Sequence, residues 1–148
     1  MNKPISFSLS AIETVAQELM PAIRRARIVA LYGGLGAGKT TLVRALVHTL
    51  GVMQSVTSPT FNYVNRYVTA DGSVIYHFDL YRLASLGAFY EAGFDEYLFD
   101  ESVLVFIEWP EILEPLLPAK ALRVQLAYEP GDEQVRVLTM DTVELAQK

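Results

Sequence analysis

The sequence predicts an α/β domain with a mixed central sheet, and three observations support this class. Residues 27–32 have the composition of a buried strand, and residues 41–50 carry apolar side chains at helical spacing. Residues 103–107 are continuously apolar and mostly β-branched, which is typical of a central parallel strand. Two further segments each contain a pair of strand-like runs around a turn signal, and these predict antiparallel hairpins.

At the N-terminal end, residues 5–9 alternate between apolar and polar side chains, as a half-buried strand does. Ser10 then predicts a helix N-cap, with Glu13 completing a capping box. Pro21 either kinks this helix or ends it, and Gly51 ends the later helix of residues 41–50.

The first predicted hairpin pairs residues 60–68 with residues 74–79, and the second pairs residues 122–128 with residues 134–140. Both turns contain glycine and aspartate, which favour reversal of the chain.

Between the hairpins lie two helical segments. Residues 84–98 have helical content that Gly87 and Gly93 interrupt. Residues 110–113 form a short helical stretch that two following prolines close.

Composition narrows the function classes. A chain of 148 residues predicts one domain spanning 1–148, and the absence of cysteine excludes disulfides and thiol chemistry. The N-terminus lacks a signal-peptide pattern and no apolar run is long enough to span a membrane, so a cytoplasmic location is expected.

The charge of the chain limits its binding partners. The net charge of −5 argues against a protein that binds nucleic acid on its own. Residues 83–119 hold eight acidic residues and no Lys or Arg, which indicates either a solvated face or a docking face for a basic partner.

Residues 33–40 carry the chemistry on which the other predictions depend. Their spacing, a glycine, four residues and then Gly-Lys-Thr, follows a predicted strand and opens a predicted helix. Backbone N–H groups of such a loop cradle phosphates, Lys39 reaches the β- and γ-phosphates, and the Thr40 hydroxyl ligates Mg²⁺. The motif therefore predicts a nucleoside triphosphate site. The predicted nucleotide-binding residues are Gly34, Leu35, Gly36, Ala37, Gly38, Lys39, Thr40 and Thr41.

Two carboxylates are predicted to face this loop. Asp79 and Glu108 each follow a predicted strand, at the sheet edge where ligands bind in open α/β folds. Mg²⁺ prefers oxygen ligands, so Glu108 is the predicted metal partner of Thr40, and Asp79 is a second acidic candidate. Each could instead be a helix N-cap or an ordinary loop charge. Lys39, Asp79 and Glu108 are the predicted catalytic residues.

The sequence alone does not decide the roles of several other polar and aromatic residues. Residues 58–60 either sense the γ-phosphate, as switch segments do, or form an ordinary Ser-Pro turn. His77 is either functional or structural, and Trp109 is either a core anchor or a partner contact. Arg66 and Arg82 are the arginines best placed to touch phosphate or a partner, although an ordinary surface position is the commoner case for an arginine.

Four segments together resemble the TsaE (YjeE) family of bacterial P-loop ATPases. They are residues 33–41 (GGLGAGKTT), 58–61 (SPTF), 77–82 (HFDLYR) and 107–110 (IEWP). The first is common to many nucleotide-binding proteins, whereas the last two are narrow signatures. The resemblance covers roughly residues 9–113 and implies a three-layer P-loop NTPase-like fold with a mixed central sheet and hairpin additions.

The resemblance also implies a function. It implies an ATP- and Mg²⁺-dependent component needed to form threonylcarbamoyladenosine in tRNAs that read codons beginning with adenine. Its implied partners are TsaD and TsaB, with tRNA reached only through them. Thr40 and Glu108 match the family's metal positions, and Asp79 and Trp109 match positions linked to activity. The segment 10–14, with Ala11 as the candidate, corresponds to the adenine-side contact.

Three other classes share the loop. A small P-loop kinase needs an acceptor pocket and usually an arginine-bearing lid, yet residues 83–119 hold no basic residue. A nucleotide-gated binding module would use the same loop to switch affinity for partners. A GTPase is disfavoured because the sequence has no Asn-Lys-x-Asp guanine motif.

Overall fold

The computed structural model describes residues 3–59 and 62–141. In these residues the strands are β1 (Ile5–Ser8), β2 (Ile28–Tyr32), β3 (Val64–Val68), β4 (Val74–Asp79), β5 (Leu104–Glu108), β6 (Leu122–Glu129) and β7 (Asp132–Asp141). The α-helices are α1 (Ile12–Ala26), α2 (Lys39–Thr49), α3 (Leu86–Glu91) and α4 (Phe94–Leu98). Two 3₁₀ segments span Leu9–Ala11 and Pro110–Leu116.

The seven described strands form one sheet in the order β1-β7-β6-β2-β5-β4-β3. Its centre is parallel, because β2 pairs with both β5 and β6, and β4 pairs with β5. The hairpin β3–β4 extends one side of this centre, and β6–β7 with β1 extends the other side in antiparallel pairing. The predicted mixed sheet with hairpin additions is confirmed.

Helices cover both faces of the sheet, which confirms the three layers. On one face α1 and α2 bury an apolar stripe that includes Leu19, Ile23 and Leu46 against Val29 and Phe106 of the sheet. On the other face α3, α4 and the 3₁₀ segment Pro110–Leu116 form a second apolar cluster. Its fully buried members include Phe78, Phe89, Leu98, Ile107 and Leu113.

The parallel centre brings three strand ends to one edge. The chain leaves β2 at Tyr32 and enters α2 at Lys39, so the glycine-rich loop lies at this edge. In the register of β4 with β5, Asp79 is opposite Glu108, and in the register of β2 with β5, Leu31 is opposite Glu108. Both predicted carboxylates therefore lie beside the loop.

The start of α1 differs from the predicted capping box. Ser10 lies inside a 3₁₀ turn and its hydroxyl pairs with the Ser8 hydroxyl at 2.8 Å, so Ala11 takes the N-cap position without a side-chain hydrogen bond. Pro21 does not end the helix, which continues to Ala26. Pro21 and Gln17 are both exposed, so water can satisfy the Gln17 carbonyl that has no N–H partner at position 21.

The first hairpin is shorter than predicted. Residues 60 and 61 lie outside the described residues, and β3 begins only at Val64. Tyr63 has a φ of 62°, which is incompatible with a regular strand. Its carbonyl instead accepts a hydrogen bond from the Asp79 N–H at 2.9 Å.

The interruptions and ends of the later elements differ from the prediction in detail. Gly87 lies within α3, whereas Gly93 separates α3 from α4, because Gly93 has a φ of 78°. The stretch predicted over residues 110–113 continues as a 3₁₀ segment through Pro115 to Leu116. The second hairpin turns more tightly than predicted, with Pro130 and Gly131 between its strands.

Replacing Leu46 with alanine should lower the free energy of unfolding by about 2–5 kcal/mol, since its side chain is fully buried in the cluster that α1 and α2 form with the sheet. Chemical denaturation measures the change. Met53→Ala is the control, because Met53 is 94% exposed and should change stability by less than about 0.5 kcal/mol. Equal effects of the two substitutions would contradict the assigned core.

Candidate functional site

The loop between β2 and α2 owes its path to glycine. Gly36 and Gly38 have φ values of 77° and 104°, in the left-handed region that side chains disfavour. Gly33 passes so close to the sheet that a Cβ on it would lie 2.6 Å from the Leu126 carbonyl oxygen of β6. The loop can therefore approach β6 in this way only with glycine at position 33.

The loop encloses a recess of about 280 Å³ at the carboxyl edge of the parallel strands. It is lined by all the residues predicted from the loop, Gly34, Leu35, Gly36, Ala37, Gly38, Lys39, Thr40 and Thr41. Asp79, Glu108, Ser58 and Trp109 complete its walls. Ala11 is not among the lining residues.

Lys39 is the cation of this recess, and its side chain folds back over the loop. Its Nζ donates hydrogen bonds to the carbonyl oxygens of Gly33 and Gly34, the second at 3.3 Å. The same Nζ lies 3.5 Å from the centroid of the Trp109 ring, in a cation–π contact. Burial lowers the pKa of the Lys39 ammonium, and the carboxylates of Glu108, Glu111 and Asp79 oppose this shift.

Glu108 joins the first turn of α2 to the sheet. Its Oε1 accepts a hydrogen bond from the Thr40 hydroxyl at 2.8 Å, and its Oε2 lies 2.5 Å from Nε2 of His77. Glu108 is 2% exposed and His77 is completely buried. The Thr40 hydroxyl and the Glu108 carboxylate offer oxygen ligands on one side of the recess. Mg²⁺ usually binds one or two such protein oxygens together with phosphate oxygens. These residues therefore fit the predicted metal.

Asp79 occupies the neighbouring strand end and is half-buried. Its Oδ2 accepts a hydrogen bond from the Ser58 hydroxyl at 3.1 Å, and its Oδ1 accepts one from the Tyr81 N–H at 3.1 Å. Ser58, from the segment predicted as either a phosphate sensor or a simple turn, thus contacts a predicted catalytic carboxylate. Thr60 of that segment lies outside the described residues.

Two residues that the sequence analysis did not single out hold the outer side of the loop. The Tyr128 hydroxyl donates to the Gly36 carbonyl at 2.7 Å, and Nε of Arg136 donates to the Ala37 carbonyl at 3.0 Å. The Arg136 guanidinium also lies 4.0 Å above the Tyr128 ring, and the arginine is 6% exposed. The signal in the sequence is that Arg136 shares its face of β7 with buried Leu138, a position where an apolar residue is expected.

The predicted adenine-side residue, Ala11, lies at the end of the 3₁₀ segment Leu9–Ala11 and is half-buried. A second recess, about 780 Å³ in volume, lies next to this segment. Leu9 lines it together with Tyr128, Arg136 and the turn of the second hairpin. Because Tyr128 and Arg136 also contact the loop, this recess adjoins the loop, with Leu9 rather than Ala11 in its wall.

The fold and the glycine-rich loop together define the class of protein. A glycine-rich loop that leads from a parallel strand into a helix beginning Lys-Thr, with acidic residues at the adjacent strand ends, is a P-loop nucleotide-binding arrangement. No helix in the described part of the chain combines the length and apolar character that crossing a membrane requires.

Comparison with known proteins specifies the family. The family model described as threonylcarbamoyl adenosine biosynthesis protein TsaE matches residues 7–137. The tRNA threonylcarbamoyladenosine biosynthesis protein TsaE of Rickettsia felis is 40% identical over 129 residues, which cover 86% of this chain and 72% of that protein. Its namesake in Haemophilus influenzae is 35% identical over 127 residues, covering 84% and 79%. The chain belongs to the TsaE family, as its four motifs predicted.

The crystal structure of Bacillus subtilus YdiB matches the fold with a TM-score of 0.67. The match has 25% sequence identity and covers 96% of this chain and 88% of that one. The three-layer arrangement is thus shared with a solved structure.

Trp109 provides a direct probe of the recess, because it is the single tryptophan of the chain and contacts Lys39. We propose that a bound phosphate draws Nζ of Lys39 away from the carbonyls of Gly33 and Gly34 and from the Trp109 ring, so nucleotide should change the tryptophan fluorescence. Titration with ATP measures this. In Lys39→Met the change should be largely lost, and an undiminished change in that variant would contradict the proposed movement of Lys39.

Proposed function

We propose that this protein is the ATP-binding and ATP-hydrolysing component of threonylcarbamoyladenosine formation in tRNAs that read codons beginning with adenine. The observation that carries the proposal is the convergence of Lys39, Thr40 and Glu108 in one recess of a chain that belongs to the TsaE family. The names of its relatives support the pathway, and the recess supports the chemistry.

The loop would bind the triphosphate through its backbone and through Lys39. Helix α2 begins at Lys39, so its N-terminal N–H groups and its dipole favour a phosphate at the recess. Lys39 is held by two carbonyls and an aromatic ring and buried at 5% exposure, so a phosphate gains a nearby cation that little water screens. The recess lined by Leu9, Tyr128 and Arg136 lies next to the loop and is the place we assign to the base.

Thr40 and Glu108 would hold Mg²⁺, which neutralises charge on the β- and γ-phosphates when bound. Asp79 lies beside Glu108 in the strand register and contacts Ser58 of the preceding loop. We assign Asp79 to the end of the recess where the γ-phosphate and the attacking water would lie. There its carboxylate can orient that water.

Hydrolysis by the protein alone should be slow, and a partner should complete the site. Among the described residues that line the phosphate recess, Lys39 is the cation and none is an arginine that could stabilise the transition state. We propose TsaD and TsaB as the partners, with tRNA bound through them. Leu35 and Tyr81 line a recess beside the phosphate site and are 69% and 53% exposed, which suits a protein contact there.

A nucleotide-gated binding module is the second candidate. The same exposed Leu35 and Tyr81 favour it, because nucleotide bound at the loop would alter the surface that they form. It differs from the first candidate in that hydrolysis would be unnecessary for tRNA modification.

Lys39→Ala should lower ATP hydrolysis about 100-fold or more, because removal of one preorganised donor to a reacting phosphate has costs of this order. Lys120→Ala is the matched control, since Lys120 precedes β6 at the opposite edge of the sheet and should leave hydrolysis unchanged. A steady-state phosphate-release assay compares the two. Similar losses in both variants would show that Lys39 has no special role.

Glu108→Ala should lower Mg²⁺-dependent turnover roughly tenfold or more, while affinity for ATP in EDTA changes little. The reason is that the substitution removes the carboxylate that pairs with Thr40 and leaves the phosphate-binding loop in place. Turnover as a function of Mg²⁺ concentration, together with calorimetric binding, separates the two effects. Unchanged turnover would exclude Glu108 from the metal site.

The ATPase rate should rise when TsaD and TsaB are added together to the protein. The measurement compares the protein alone, with each partner and with both, and it includes Lys39→Ala as the inactive control. A rate that is as fast alone as in the mixture would reject the proposed partner dependence. Stimulated tRNA modification by a hydrolysis-deficient variant would favour the binding module instead.

A further inference from the structure

His77 is a buried polar residue to which the proposed function assigns no role. It lies in β4, its side chain has no exposed surface, and its Nε2 is 2.5 Å from Oε2 of Glu108. Its Nδ1 is also buried and has no hydrogen-bond partner among the described residues. In the tautomer that carries its proton on Nε2, His77 donates this hydrogen bond and the Glu108 carboxylate accepts it.

The sheet register places this contact on the side of α2. His77 is opposite Phe106 in β5, so it meets Glu108 as a diagonal neighbour on the same face of the sheet. Phe106 on that face packs in the cluster that includes α1 and α2. The imidazole, the carboxylate and Thr40 of α2 thus form one continuous contact from β4 to the P-loop helix.

The two donors reach different oxygens of the Glu108 carboxylate. Thr40 holds Oε1 and His77 holds Oε2. The terminal torsion of glutamate has broad minima, so one hydrogen bond leaves rotation of the carboxylate plane loosely restrained. A second donor on the other oxygen restrains that plane and therefore decides where the remaining lone pairs point.

We propose that His77 is a positioning residue for Mg²⁺ binding, through its hydrogen bond to the carboxylate of Glu108. The proposal rests on the proposed function, which assigns Glu108 to the metal. A residue that hydrogen-bonds to a metal-binding carboxylate without touching the metal holds that carboxylate in place. Its removal typically lowers metal affinity by about 10–100-fold. His77 would then have no contact with nucleotide and act only through Glu108.

The unpaired Nδ1 supports a functional reason for the histidine. An apolar side chain of similar size would fill this buried position without leaving a nitrogen unsatisfied. His77 instead leaves Nδ1 buried without a partner, which costs free energy, and its Nε2 makes one hydrogen bond, to the carboxylate of Glu108. The role of His77 therefore lies in its hydrogen bond to Glu108 rather than in packing.

The test measures the gain in affinity that Mg²⁺ gives to a non-hydrolysable ATP analogue, by calorimetry in excess Mg²⁺ and in EDTA. His77→Leu should lose about tenfold or more of the gain, with the affinity in EDTA unchanged. His77→Asn should lose it as well, because its amide is too short to reach Oε2. His77→Gln should retain most of the gain, since its longer side chain can place an N–H near the position of Nε2.

Ile75→Ala is the matched control. Ile75 is completely buried in the apolar cluster that α1 and α2 form with the sheet, and it lies two residues earlier in β4 on the same face. This substitution should lower the melting temperature while leaving the Mg²⁺-dependent gain intact. A wild-type gain in both His77→Leu and His77→Asn would overturn the positioning role, as would a loss of gain in Ile75→Ala as large as theirs.

The outcomes also separate this inference from the proposed function. If the wild-type protein binds the analogue with no gain from Mg²⁺, the proposed metal site fails and the inference fails with it. If the wild type shows the gain and the histidine variants keep it, only the role of His77 is overturned.

Discussion

The hydrogen-bonded connection from Thr40 through Glu108 to His77 is the constraint on which the site depends. A carboxylate that is 2% exposed needs donors, and these come from the first turn of α2 and from the neighbouring strand. A slip of β4 by one residue would turn His77 to the opposite face of the sheet and leave the carboxylate with one donor. The register of the parallel centre and the chemistry of the recess are therefore coupled.

The loop depends equally on the second hairpin. Gly33 lies against the carbonyl of Leu126 in β6, while Tyr128 and Arg136 donate to carbonyls of Gly36 and Ala37. A loop with this many glycines has high conformational entropy when it is unsupported. These contacts restrict it before any ligand binds, so the hairpin forms part of the phosphate-binding unit.

Lys39 is a cation among acidic side chains. Its ammonium interacts with the carboxylates of Glu108, Glu111 and Asp79, and the charged residues of segment 83–119, to which the first two belong, are all acidic. A triphosphate with a metal brings both signs and can match the recess, whereas a long polyanion meets repulsion from the surrounding surface. This distribution is consistent with a nucleotide-driven protein that reaches RNA through other proteins.

Local patterns in the sequence were sufficient for the phosphate-binding loop, the central strands, both hairpins and the two carboxylates at strand ends. These features depend on spacing within a few residues and on the rule that parallel strands end at one edge, so the three-layer fold was predictable. The roles assigned to the loop residues, Asp79 and Glu108 remain predictions, although the recess brings their side chains together.

Only the tertiary structure decided the contacts between distant segments. It replaced the capping box of Ser10 by a pairing with Ser8, let α1 continue past Pro21, and placed Leu9 in the wall of the second recess. It also joined His77 to Glu108 and Arg136 to Ala37, which are far apart in the chain. Such partners are set by register and by burial, and neither is encoded in the residues next to them.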